Sequence, residues 1–114
     1  MDEAILLRTA VELIDDKKGE NTVIIDLRND SIPTSYFVIT QGGNPSHVKA
    51  IVSNLMEKFP RKAFHREGHA ERRWVLLDYG EIVGHVLQPQ AREFYDIESL
   101  WADRIVELNA LLAS

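Results

Sequence analysis

The sequence predicts one α/β domain, a mixed β-sheet with helices packed mainly on one of its faces. Three observations point there. Runs of strand length, rich in β-branched and aromatic residues, recur at 22–28, 36–41, 72–78 and 81–87 between turn residues. Apolar residues at helical spacing mark 2–17 and 45–59. The 114 residues contain no repeat, linker or low-complexity tract, which leaves room for one core and too little chain for two.

In chain order, Leu7, Ala10, Val11 and Ile14 share a helical face, and Lys17, Lys18 and Gly19 suit that helix's C-terminus. Thr22 to Arg28, TVIIDLR, is the first strand, and YFVITQ at 36–41 is the second, reached through a loop around Pro33. Asn44-Pro45 begins the next helix, because Asn caps free backbone N–H groups and Pro suits the first helical position. Val48, Ile51, Val52, Leu55, Met56 and Phe59 form its stripe until Pro60 stops the run. A weak edge strand is expected at 62–66, then a hairpin of 72–78 with 81–87. Pro89 opens a short helix carrying Phe94 and Tyr95. Asp96 is expected to cap a last helix with the stripe Ile97, Leu100, Trp101, Ile105, Leu108 and Leu112; residues 102–114 would form a C-terminal helical extension.

The hairpin concentrates large side chains. A two-residue turn at Tyr79-Gly80 would pair Asp78 with Glu81, Leu76 with Val83 and Trp74 with His85. A longer turn with a bulge at Gly80 is the alternative, since Tyr79 suits the first position of such a turn poorly. Alternation then gives one face Trp74, Leu76, Asp78, Glu81, Val83, His85 and Leu87, and the other Val75, Leu77, Ile82, Gly84 and Val86. The second set is uniformly apolar and reads as the core face beneath the helices. The first mixes apolar and polar groups and reads as open to a partner. Trp74 there is either an aromatic closing the core edge or a binding anchor. His85 reads first as a packing residue.

The totals exclude several classes. No run approaches the roughly 20 apolar residues that span a bilayer, and no signal peptide opens the chain, so a cytoplasmic location is expected. Zero cysteines exclude disulfides and thiolate metal sites. A formal charge of −5 opposes a nucleic-acid-binding role. The bases Lys58, Arg61, Lys62, Arg66, Arg72 and Arg73 nonetheless gather in one stretch, either a solvated loop or a patch for RNA or an acidic partner. Two-metal phosphoryl chemistry needs clustered carboxylates, and Asp26 and Asp78 fall on separate strands. Gly42-Gly43 lacks the rest of a phosphate loop. His65 and His69 have i, i+4 spacing without a third ligand, on a stretch that Gly68 marks as a loop. No cofactor and no metal are expected.

The segments IIDLR at 24–28, YFVIT at 36–40, HVKAI at 47–51, WVLLDYG at 74–80 and REFYDIESLW at 92–101 together resemble the ribosomal silencing factor family, also called Iojap-like. The resemblance covers roughly residues 5–101. It implies a nucleotidyltransferase-like topology without enzymatic activity, in a cytoplasmic monomer or homodimer. It further implies binding to the large ribosomal subunit through the universal large-subunit ribosomal protein fourteen, which blocks subunit joining and represses translation. Carried onto this sequence, the partner-binding positions are Trp74, Leu76 and His85, with Asp78 and Tyr79 at the turn. Phe94 and Tyr95 are further candidates that would otherwise pack the short helix to the sheet. The family's common TGTSSR is QGGNPS here at 41–46, and Ser35 stands where Asp is frequent.

Overall fold

The computed structural model describes residues 2–113, with side chains characterised through Ala110. Helix α1 (Glu3–Asp16) starts at Asp2, whose carboxylate accepts the Ala4 N–H. It buries Leu6, Leu7, Ala10, Leu13 and Ile14, a wider stripe than the sequence suggests, with Val11 at its margin. Strand β1 (Glu20–Asp26) starts and stops two residues earlier than expected, with an irregularity between Glu20 and Val23. The Asp26 carboxylate turns back on Arg28, accepting its backbone N–H and both arms of a bidentate guanidinium bond at 3.0 and 2.8 Å. That pairing holds the Asp26 carboxyl below its ordinary range.

Strand β2 (Tyr36–Gln41) has the expected bounds. Helix α2 (Pro45–Lys58) starts as read: the Asn44 side chain accepts the His47 N–H at 2.9 Å, with Pro45 in the first turn. Met56 departs from the expected stripe and is exposed. Asn54, by contrast, is buried and donates to the Leu13 carbonyl at 2.8 Å, tying α2 to α1. Strands β3 (His65–Glu67), β4 (Trp74–Asp78) and β5 (Ile82–Leu87) follow, then the short helices α3 (Pro89–Tyr95) and α4 (Ile97–Leu100).

The expected continuous last helix does not form. Trp101 leaves helical geometry, and Ala102–Arg104 makes one 3-10 turn. The β-branched pair Ile105–Val106 is strand β6, and helix α5 (Leu108–Ala113) resumes after it. The edge of β1 offers free backbone groups, and Ile105-Val106 satisfies them by antiparallel pairing with Ile25 and Ile24. The side chain of Leu112, part of the expected stripe, lies outside the described residues. Asp96 makes no side-chain cap; its backbone is left-handed, its N–H closes α3 on Arg92, and its carboxylate accepts the Ser99 hydroxyl.

The six strands order as β3-β4-β5-β2-β1-β6, antiparallel except for the parallel pair β2–β5 at the centre. One face, with Ile24, Val38, Val75, Leu77, Ile82 and Val86, packs on α1 and α2 in the main core. The opposite face carries Ile25, Ile39 and Leu87 beneath Ala91 of α3 and Ile97 of α4. The sheet is therefore mixed, with its two long helices on one side and two short ones covering part of the other. No helix among the described residues is long and apolar enough to cross a membrane.

The hairpin register differs from the two-residue expectation by two positions: Asp78 pairs Val83, Leu76 pairs His85 and Trp74 pairs Leu87. Gly80, with φ +88°, takes the first place of a Gly80-Glu81 loop, where type II′ turns put glycine, and Tyr79 donates its N–H to the Ile82 carbonyl. A slip of two preserves parity, so each side chain keeps the face that alternation assigns it.

Gly19 lets α1 close on the sheet. A Cβ there would sit 2.2 Å from Ile14 Cγ2 and 2.8 Å from Thr40 Oγ1, both in buried residues. Gly19→Ala should lower unfolding free energy by about 1–3 kcal/mol through overpacking, read as a shifted urea midpoint with unchanged slope. An unshifted midpoint would mean that the contact relaxes freely.

Candidate aromatic docking surface

The face that alternation leaves for a partner is not an open sheet. Every residue of β5 is buried, and His85 is only 4% exposed. The reason lies downstream. Helices α3 and α4 fold back over Leu87, Ile39 and Ile25, with Ala91 and Ile97 fully or nearly fully inside. Arg92 pins this cover: its guanidinium pairs with Glu98 at 2.8 Å and reaches Gln41 Oε1 at 3.3 Å and the Glu20 carbonyl at 3.4 Å. With Arg92 and Glu98 largely shielded from water, their bond ties the two short helices together.

The sequence-predicted residues divide accordingly. Trp74, at the margin of the cover, is half-buried and its indole N–H donates to His85 Nδ1 at 3.0 Å. Its ring stacks at a tilt on Tyr95, centroids 4.8 Å apart, and Tyr95 meets Phe94 edge-on at 5.1 Å. Phe94 is 78% exposed and does not pack its helix to the sheet. Leu76 and Asp78 continue along β4, half-buried between β3 and β5. The Asp78 carboxylate accepts the Gly80 N–H at 2.9 Å and so shapes the turn. Trp74, Tyr95, Phe94 and Leu76 thus share one side of the molecule.

Tyr79 does not join them. Its ring is buried on the helix side against Phe59, centroids 4.6 Å apart, and burial pushes its hydroxyl up to about 12. Side-chain parity accounts for this, because Tyr79 follows Asp78 and points the other way. His85 is brought to the site but lies beneath it. Phe37 closes edge-on over its ring at 4.6 Å, and Trp101 stands perpendicular to Phe37 at 5.3 Å. Phe37, Trp101 and the 73% exposed Leu100 belong to this surface and were not singled out from the sequence. Their signal was present, since Phe37 alternates with buried Tyr36 and Val38. Leu100 and Trp101, however, read as one stripe of a helix that does not continue.

Asp26 on β1 and Asp78 on β4 are separated in the sheet by β2 and β5, and each is engaged locally. His65 sits in β3 with Glu67 at 3.4 Å, whereas His69 follows Gly68 in a loop and touches Met56 Sδ at 3.4 Å. Their i, i+4 spacing converges only on a helix, which this segment does not form. Among the described residues, no three histidines or carboxylates gather to hold a metal.

The profile of the family described as "Ribosomal silencing factor during starvation" matches residues 2–113. A ribosomal silencing factor of Halalkalibacterium halodurans is 34% identical over 112 residues, covering 95% of this chain and 96% of that protein. A crystal structure of a Chromobacterium violaceum protein superposes with a TM-score of 0.84 at 28% identity, over 90% of this chain and 88% of that one. A Mus musculus protein named for mitochondrial assembly of the ribosomal large subunit is 28% identical over 100 residues, covering 82% of this chain and 44% of its own length.

Burial sets the protonation of the histidine beneath the surface. Desolvation pushes the His85 imidazole down to about 4, from an ordinary value of 6.5. The neutral ring accepts the indole bond at Nδ1, so its proton resides on Nε2, which has no partner among the described residues. Above pH 6.5 neither the folded nor the unfolded chain charges this group. As pH falls from 6.5 towards 4 the unfolded chain takes up the proton first, and stability is lost. Between pH 7 and 4.5 the wild type should lose about 2–3 kcal/mol more than His85→Gln, measured by urea unfolding at each pH. Parallel pH profiles of the two proteins would refute the buried neutral assignment.

Proposed function

The chain belongs to the ribosomal silencing factor family, and from that premise we propose that it represses translation by docking its aromatic surface on the large ribosomal subunit. The receptor in this reading is the universal large-subunit ribosomal protein fourteen, and the bound protein stands where the small subunit would join. The observation that carries the proposal is the succession Phe94–Tyr95–Trp74, exposed at one end and locked to His85 at the other. Rigid, partly exposed aromatic side chains bury much area for little lost rotamer freedom, which suits an interface centre. The name of the mouse relative, which refers to the large subunit, supports the choice of subunit.

Occlusion needs a firm footing and bulk, and no bond need be made or broken. The footing here is the α3–α4 cover, held from behind by Ala91, Ile97 and the Arg92–Glu98 pair. The remaining bulk of the domain provides the obstruction. A second copy of the chain would bury the same exposed rings, so self-association and ribosome binding compete in this reading. Sedimentation velocity across a concentration series would expose such self-association.

Phe94 is the cleaner probe, since its exposed ring supports little of the fold. Phe94→Ala should weaken cosedimentation with purified large subunits by roughly tenfold or more. Trp74→Ala, which removes a central ring, should weaken it by about thirtyfold, near 2 kcal/mol. Both should relieve inhibition of subunit joining in proportion. Folded variants that bind like wild type would place the interface elsewhere.

A further inference from the structure

A second surface differs in chemistry from the aromatic one. Residues 49–73 carry seven lysines and arginines against three glutamates, a net +4. The remaining chain carries six bases against fifteen acids, a net −9. The fold gathers the basic segment around the exposed Met56 of α2. On one side of Met56 lies a cleft of about 300 Å³ lined by Arg61, Lys62, Ala63, Arg66 and Tyr79. On the other lies one of about 250 Å³ lined by Lys49, Val52, Ser53, His69, Arg72 and Val75. Sharing Met56 as a common wall, the two make one groove with cations along both lobes.

Most of these cations are not paired with a carboxylate. Of the seven, only Arg61 has an acidic partner within 4.0 Å among the described residues, Glu81 at 3.4 Å. Elsewhere Arg28, Arg92 and Arg104 are paired, whereas Arg8, Lys17 and Lys18 have no acidic partner within 4.0 Å among the described residues. Arg66 instead rests on Met56 Sδ at 4.0 Å. The groove also holds His69 below its ordinary range, through desolvation first and then the charges of Arg66 and Arg72. Beside it, Phe64 projects from the run Arg61-Lys62-Ala63-Phe64-His65-Arg66, 82% exposed and held against Gly80. An isolated exposed ring flanked by unpaired cations is the combination that single-stranded nucleic-acid sites use: cations follow the phosphates and the ring takes a base.

We propose that this groove binds single-stranded RNA without sequence preference, the phosphates meeting Lys62, Arg66 and Arg72 and a base stacking on Phe64. The extended two-lobed shape favours a chain of phosphates over one compact anion. The exposed ring favours RNA over an acidic peptide. Neither Phe94 nor Tyr95 lines either cleft, so the inference does not rest on the aromatic docking reading.

Fluorescence anisotropy of a labelled 12-nucleotide RNA with the full chain, at about 50 mM salt and above, tests it. Wild type should bind, with log affinity falling against log salt by about 0.7 per phosphate contacted. The double substitution Arg66→Glu with Arg72→Glu should weaken binding at least tenfold, and Phe64→Ala several-fold, while Lys17→Glu with Lys18→Glu, which line neither cleft, changes little. Circular dichroism of each variant checks that the fold persists. No binding by wild type at low salt, or binding indifferent to the Arg66 and Arg72 changes, overturns the proposal. Equal binding of a labelled oligoglutamate, with no response to Phe64→Ala, would assign the groove to acidic proteins and also overturn it. Cosedimentation of the Phe94→Ala protein with large subunits reads the other surface, so failure of either reading is distinguishable.

Discussion

Strand β5 is buried along its whole length, and the rest of the molecule answers to that constraint. It sits at the sheet centre, parallel to β2 and antiparallel to β4, so its backbone groups are satisfied on both edges. Its two faces still require cover. Helices α1 and α2 supply it on the side of Ile82 and Val86, where Gly84 keeps the surface low near Leu77. The side of Val83, His85 and Leu87 has no long helix above it. The chain closes it with α3 and α4, whose seven and four residues would be marginal helices alone. They persist because Ala91 and Ile97 complete a small second core and Arg92 fastens them to Glu98 and Gln41.

Much of this was legible from residue pattern. Asn44-Pro45, the β-branched runs and the alternation along the hairpin state their structure locally, and local statements survive folding. Parity survived even where register did not, because Gly80 took the first loop position and moved the pairing by two residues. Exposure was the part that pattern could not give. Alternation says that Trp74 and His85 share a face and is silent on whether distant chain will cover it. His85 read first as a packing residue on a face open to a partner; the packing holds, but the face is covered, and its polarity is spent internally on the indole of Trp74. Leu100, Trp101 and Ile105 fit a helical stripe well, and the free edge of β1 drew Ile105-Val106 into the sheet instead. In each case a non-local demand, burial or an unpaired backbone edge, overruled a sound local reading.

The covering segment is also where the candidate docking surface comes from, and the two roles are physically joined. A short amphipathic cover has an inner side used up by Ala91 and Ile97, which leaves Phe94, Tyr95 and Leu100 to face water. Exposed large apolar groups add nothing to the stability of the isolated fold, so their presence on a domain with a charge of −5 calls for another use. The departures at 41–46 begin beside this cover, where Gln41 accepts from Arg92, and run on into the start of α2. There Asn44 caps α2 and His47 bonds the Gly43 N–H and the Lys17 carbonyl, a self-contained helix start with its polar groups already engaged. That helix start is organised for structure.

The affinity of such a surface depends on how little must be ordered when a partner arrives. Tyr95 is already stacked on Trp74, Trp74 is already bonded to His85, and His85 is already wedged under Phe37. The costs of fixing these rings are met during folding, so burying them on a partner loses little further rotamer freedom. The neutral state of His85 belongs to the same arrangement. A protonated imidazole would offer a donor at Nδ1, where the indole N–H needs an acceptor, and the Trp74 ring would lose its tether. Burial that keeps His85 uncharged therefore keeps the aromatic surface in one conformation. The polar residue that looked like part of the contact acts from below, by holding the contact still.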